Sequence, residues 1–216
     1  KTMGQIKKGD ILFDEEGRRC KVTGLFPQGV EDVYCVELTD GSSVECSGSH
    51  LWAVRTALQK WRKSPYKIKA LKDIRNNLLD PDGNTEWFIP VTKPLELSKQ
   101  KLPLDPYFLG LLIGDGGLSH RVSYSSIDQE LLDYIKVALV PLGMTLNFAS
   151  KCSYRLAYKR GIPNPLMEIL KKLNLNKKSE YKHIPPQYLI SSKEQRLSIL
   201  QGLMDTDGYI SADGAA

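Results

Sequence analysis

Two aspartates close two stretches that resemble each other. Asp115 stands near the end of Phe108-Leu109-Gly110-Leu111-Leu112-Ile113-Gly114-Asp115-Gly116, and Asp207 near the end of Leu200-Gln201-Gly202-Leu203-Met204-Asp205-Thr206-Asp207-Gly208. In each, small residues recur at four-residue spacing, Gly110 with Gly114 and Gly202 with Thr206. On a helix that spacing leaves one face without bulk and lets two backbones approach closely. Each helix would also carry a carboxylate at its C-terminal end, where the macrodipole disfavours an anion by about 0.3 to 1 kcal/mol. A placement unfavourable for folding, made twice, points to a use. With the helices side by side the carboxylates converge and suit Mg²⁺, which takes few carboxylates and completes its shell with waters and phosphate oxygens. Divalent ions so placed stabilise the attacking and leaving oxygens of phosphodiester hydrolysis. Taken singly, each end is a helix stop with glycine at the C′ position and a solvated aspartate; the recurrence favours the metal reading. Asp205-Thr206-Asp207-Gly208 also touches on a calcium loop, which here lacks its later ligands, and on a phosphatase aspartate, which should follow a strand.

The surrounding sequence predicts the elements that must hold these carboxylates. Asp105 can cap, and Pro106 can open, the first of the two helices. A strand is expected over 121–126, a helix over 129–142 stopped by Gly143, a hairpin over 145–160 and a helix over 164–173. After Ser191-Ser192, Glu194 or Gln195 can complete a capping box that opens the last helix. The order is α-β-α-β-β-α-α. In the hairpin, Tyr154, Leu156 and Tyr158 share one strand face while Ser153, Arg155 and Lys159 share the other; Arg121, Ser123 and Ser125 alternate in the same way. An apolar face for helices and a basic face for a partner fit a DNA-binding sheet. The Pro- and Lys-containing stretch 99–106 reads as a linker.

Before that linker the pattern changes. Over residues 9–54, short apolar runs are separated by turn dipeptides such as Glu16-Gly17, Gln28-Gly29 and Asp40-Gly41, which predicts an all-β module. Residues 55–100 read as basic and extended, and Arg62, Lys63 and Lys67, interleaved with Trp61 and Tyr66, make a second candidate DNA surface. The 216 residues carry 30 Lys and Arg against 25 Asp and Glu, a formal charge of +5. The excess is clustered rather than spread: one group lies over 55–72, a second is Lys151, Arg155, Lys159 and Arg160, and a third runs from Lys171 to Lys182. With 41% hydrophobic and 25% charged residues, the composition is that of an ordinary globular chain. No apolar run approaches the roughly 20 residues of a membrane span. Cys20, Cys35, Cys46 and Cys152 are spaced neither for zinc nor for a disulfide scaffold, so half-buried reduced thiols are expected. The first residues lack the plan of a signal peptide, and a cytoplasmic location is expected.

The paired segments resemble the motifs of the LAGLIDADG homing endonucleases; the second departs from the name-giving string at Gln201, Met204 and Thr206, and the first follows the L-G-L-x-x-G-D-G form. The resemblance covers residues 101–216. It implies an α+β domain of αββαββα repeat logic with its second repeat truncated, motif helices at a pseudo-dimer interface, and Asp115 and Asp207 as catalytic ligands of Mg²⁺. It also implies a saddle of strands reading a long double-stranded DNA site, to which Arg121, Ser123, Ser153, Arg155 and Lys159 would contribute. Upstream, Ser47-Gly48-Ser49-His50 at a strand end, within a β module carrying Lys8-Gly9-Asp10-Ile11-Leu12, resembles the Thr-x-x-His block of the Hint domain of inteins and implies a mainly β fold over 1–100. That resemblance gives His50 the activation of a scissile amide and Ser47 an assisting hydrogen bond, which is acid–base and oxyanion chemistry, with the exteins of a host protein as partners. Inteins begin at Cys or Ser and end at His-Asn, so further residues are expected before Lys1 and after Ala216. This stretch alone is expected not to splice and to cut poorly. The expectation is a monomeric, intein-encoded endonuclease fused to a splicing domain. The alternatives are a non-cleaving DNA-binding regulator on the same scaffold, or an autoprocessing Hint protein with an inactive nuclease.

Overall fold

In the computed structural model, which describes residues 1–209 and 211, the chain divides into two compact units, Lys1–Leu95 and Glu96–Ala216. Residues 210 and 212–216, the last of the expected 101–216 region, lie outside the described residues.

In the first unit, β1 (Ile11–Phe13) and β2 (Arg19–Lys21) pair as one antiparallel hairpin, and β3 (Val33–Glu37) and β4 (Ser43–Ser47) as another. Next, β5 (Leu51–Thr56) lies between β6 (Lys67–Ala70) and β7 (Trp87–Phe88) in a three-stranded antiparallel sheet. Two short helices, α1 (Ala57–Trp61) and α2 (Leu71–Ile74), interrupt the stretch expected to be extended. Thr56 and Gln59 form a capping box that opens α1, a threonine with glutamine three residues on, which is the local signature of a helix start. Val54, Leu71 and Ile74 are buried against Tyr34, Val36, Cys46, Trp52 and Trp87. The thiols correct their expectation: Cys20, Cys35 and Cys152 are exposed and only Cys46 is partly covered. Cys35 alternates with the covered Tyr34 and Val36 on β3 and so falls on the outer face of its hairpin, while Cys20 lies in a two-stranded hairpin whose strand residues are all exposed.

The second unit is organised round α3 (Pro106–Asp115), in which five consecutive residues, Phe108 to Leu112, are buried. A helix apolar all round belongs to an interior. Asp105 caps it by accepting from the Phe108 N–H at 3.0 Å, and Pro106 occupies its first turn. There follow β8 (Gly116–Gly117), β9 (Ser123–Ser125), α4 (Gln129–Leu139), β10 (Thr145–Ser150), β11 (Ser153–Ala157), α5 (Pro165–Lys172), α6 (Pro186–Leu189) and α7 (Lys193–Asp207). The strands form an antiparallel sheet in the order β10-β11-β9-β8. Tyr124 and Leu156 are buried beneath it with Leu132, Ile135, Leu139, Leu166 and Leu170. Asp128 and Asn164 cap α4 and α5, and Ser192 with Gln195 forms the capping box of α7. Gly143, at φ 63°, ends the short 3₁₀ turn after α4 in the left-handed region. The stretch expected as a linker is instead held down. Gln100 and Gln195 exchange two hydrogen bonds, and the Tyr188 hydroxyl accepts from the Leu104 N–H while donating to its carbonyl.

Helices α3 and α7 pack against each other with both C-terminal ends together. A Cβ added to Gly110 would lie 2.4 Å from the Ile199 carbonyl oxygen, and one added to Gly202 would lie 2.4 Å from that of Tyr107. Further along, Thr206 fills the space beside Gly114. Gly202→Ala is expected to cost about 1–3 kcal/mol of overpacking, read as a lower denaturation midpoint for the unit. Gly4→Ala, whose Cβ would meet nothing within 4 Å, should leave the midpoint unchanged.

Candidate active site and nucleic-acid surface

The helix ends differ from the simple stop considered above. Gly116 (φ −80°, ψ 134°) and Gly208 (φ −70°, ψ 146°) are extended, not left-handed. Each turns its chain straight out of the helix, and a Cβ at either would lie 2.3 Å from a carbonyl oxygen of the last turn, Leu112 in one case and Met204 in the other. The same geometry at both ends sets Asp115 and Asp207 in matching places. They are near enough that the Asp207 charge helps raise the Asp115 pKa above the ordinary carboxylate value, burial being the larger cause. Two hard oxygen donors, the second unfavourable for the ionised form of the first, suit a divalent cation that takes one or two carboxylates. Among the described residues, no three His, Cys, Asp or Glu side chains come together.

Lys182 is the site residue that pattern reading missed. It lies in the stretch before α6, and its ammonium donates to the Ile113 carbonyl at 2.7 Å and the Gly114 carbonyl at 3.0 Å. These are two of the last carbonyls of α3, which have no partner within the helix. A cation there opposes the negative end of the macrodipole and partly neutralises the aspartates. Burial lowers the Lys182 pKa while Asp207 and Asp115 hold it up. Its signal was present as one member of the third basic cluster, but nothing local separates it from Lys177 or Lys178.

Two tyrosines complete the surroundings. The Tyr107 hydroxyl donates to Asp205 Oδ2 at 2.6 Å, and burial together with that bond pushes its pKa up to about 12. Tyr124 sits on β9 directly opposite Gly116, fully buried, with a hydroxyl that has no partner among the described residues. Burial and then the Asp115 charge raise its pKa.

The sheet brings part of the expected nucleic-acid surface together. Arg155 stands opposite Ser123 on β9 and Asn147 on β10, and Ser153 opposite Ser125, so these side chains share the face away from buried Leu156. Arg121, Arg155 and Lys159, with His120, line one shallow depression that contains no acidic residue. Arg62, Lys63 and Lys67 belong to the other unit and surround the end of α1 and the start of β6; all three are exposed. Their neighbours are stacked on rings, Arg55 over Tyr66 at 4.5 Å, Lys60 over Phe88 at 4.3 Å and Lys69 over Trp87 at 5.1 Å.

Ser47 and His50 are not joined to each other by their side chains. The Ser47 and Ser49 hydroxyls lie 3.0 Å apart, and Ser49 donates to Glu31 at 2.8 Å. Together the two serines lower the Glu31 pKa. The exposed His50 ring meets Trp52 edge to face at 5.7 Å, and its backbone N–H closes a turn on the Ser47 carbonyl.

The raised Asp115 pKa carries a sign for stability. A carboxyl that holds its proton more tightly when folded costs stability as pH rises from the ordinary carboxylate value to the folded one, and the cost persists above it. Asp115→Asn should therefore raise the thermal midpoint at neutral pH, by about 2–4 °C per kcal/mol removed, and lose that advantage under acid. Thermal melts at two pH values check this.

No family model matches the chain. It is similar to a replicative DNA helicase DnaB from Mycobacterium intracellulare, 26% identical over 233 aligned residues covering 99% of this chain and 36% of that protein. The chain thus spans about a third of that relative's length. Among the described residues, no helix is long and apolar enough to cross a membrane.

Proposed function

We propose that the chain belongs to an intein whose second unit is a LAGLIDADG-type homing endonuclease making Mg²⁺-dependent double-strand breaks in an intein-less allele, and whose first unit is part of a Hint splicing domain. The observation that carries this reading is the parallel pair of glycine-faced helices ending together at Asp115 and Asp207. The arrangement suits hydrolysis of a phosphodiester. Asp115 and Asp207 would hold Mg²⁺, which when bound stabilises the attacking and leaving oxygens. The Lys182 ammonium adds fixed positive charge beside the same point, where negative charge develops on the phosphate. Ser123, Ser153 and Arg155 offer hydrogen bonds and charge to a DNA strand lying on the sheet, with Arg121 and Lys159 beside them to grip its backbone.

In the first unit, the His50 ring makes no hydrogen bond among the described residues and stands exposed one tight turn from Ser47, free to give a proton to a leaving amide. Similarity of nearly the whole chain to a third of a replicative helicase supports a helicase precursor as the host, whose flanking segments are the exteins. The cytoplasm, where such a precursor would meet DNA, is the proposed location.

The intact reading frame, incubated with Mg²⁺ and the uninterrupted helicase gene, should cut that DNA near the insertion point. Asp115→Asn and Asp207→Asn should each abolish cutting while retaining the DNA in a gel-shift assay, whereas Arg155→Ala should weaken retention. Unchanged cleavage by either aspartate variant overturns the site. Separately, His50→Ala should block cleavage of the N-terminal peptide bond in the precursor and leave DNA cutting intact, followed by electrophoresis of both products; splicing at the normal rate would remove the role given to His50.

A further inference from the structure

Asp205 stands two residues before Asp207, and the reading above gives it no task. Its carboxylate accepts from the Tyr107 hydroxyl at 2.6 Å across the helix pair. The Tyr107 ring is itself fixed, edge to face with Tyr134 at 4.7 Å and 84°. Tyr134, on α4, donates to Asp105 at 2.6 Å, and the same Asp105 oxygen caps α3. A continuous set of contacts therefore runs from α4 and the α3 N-terminus to the last turns of α7.

At Gly110 and Gly202 the contact between α3 and α7 is backbone on backbone, with no interlocking side chains to set the rotation; further along, Thr206 packs beside Gly114 but turns its hydroxyl back onto its own helix. On a helix whose side chains reach about 5–6 Å from the axis, a rotation of about 10° moves a carboxylate by about 1 Å. Displacement of that size at a reacting centre costs on the order of 10²-fold in rate. The tie is one-sided. In the aligned segments, the position of Tyr107 is taken on α7 by Ile199, and that of Asp205 on α3 by Ile113, neither of which can make such a bond.

We infer that Tyr107 is a positioning residue whose hydroxyl, through Asp205, sets the rotation of α7 and so places the Asp207 carboxylate against Asp115. The inference rests on the reading of that pair as a divalent-cation site.

Mn²⁺ binding to the 216-residue chain, followed by loss of the free-ion signal in electron paramagnetic resonance, tests it without recourse to cleavage. Tyr107→Phe keeps the ring and its packing on Tyr134, and should weaken Mn²⁺ binding by about 10- to 100-fold, the range found when a partner that orients a ligand is removed. Asp205→Leu should do the same, while Asp205→Asn, which keeps an acceptor for the Tyr107 hydroxyl, should bind nearly as the parent does. A purely structural bond would lower the thermal midpoint and leave Mn²⁺ affinity alone. Parental affinity in Tyr107→Phe overturns the positioning role and leaves the cation site standing. A parent chain that binds no Mn²⁺, or whose binding survives Asp207→Asn, overturns both.

Discussion

The second unit depends on the contact of two backbones. Where α3 meets α7, Gly110 and Gly202 leave no room for a methyl group; each added Cβ would lie within 2.4 Å of a carbonyl oxygen of the other helix. Close approach of this kind is non-directional and gains from dispersion over many atoms. It also decides where everything attached to the helices goes. With the axes fixed this near, the two C-terminal turns end together, and the strand entered through Gly116 starts beneath them. The sheet then inherits its position from the same contact, because Gly116 pairs with Tyr124 and β9 pairs in turn with β11.

Convergence of the helix ends creates an electrostatic problem that the rest of the unit answers in part. Two carboxylates lie where the dipoles are negative and near enough that Asp207 raises the pKa of Asp115. Lys182 offsets this by placing its ammonium on two carbonyls of the last α3 turn, at the cost of its own burial, which lowers its pKa. The remaining imbalance is the physical reason a divalent cation suits the place. The Tyr107–Asp205 bond belongs to the same economy: glycine contact brings the helices together, and a side-chain bond fixes their relative rotation.

The first unit is held differently. Its buried centre is three residues, Val54, Leu71 and Ile74, with partly covered aromatics around them, and its two hairpins bury little. Cations stacked on rings supply part of the order. Arg55 on Tyr66, Lys60 on Phe88, Lys69 on Trp87 and Arg75 on Tyr34 each contribute about 0.5–1 kcal/mol at exposed sites. These stacked cations are structural as well as basic. Arg62, Lys63, Lys67 and Lys72 are not among those stacked, and all four are exposed.

Short-range signals were legible in the amino-acid order. Asp105-Pro106, and Ser192 followed by Glu194 or Gln195, announce helix starts because capping is satisfied within one turn, and both starts are present, the second closed by Gln195. The alternation along 153–157 announced a two-faced strand for the same reason, since side-chain direction in a strand is fixed by parity alone; Lys159 and Arg121, expected in the same alternation, lie beyond the ends of β11 and β9. The small-residue spacing and the aspartate at the end of each motif are read directly, and so is the capping box of α1, where Thr56 and Gln59 stand three residues apart ahead of the basic run. Other features were decided only by the tertiary structure. Lys182 is one lysine among several until the stretch before α6 brings it beneath α3, and Asp205 is an exposed acid until Tyr107, 98 residues away, reaches it. The 99–106 stretch looked free because its anchors, Gln195 and Tyr188, lie on distant elements. In each case the deciding partner is remote in sequence, and no local pattern encodes a bond whose second atom arrives only when the chain has folded.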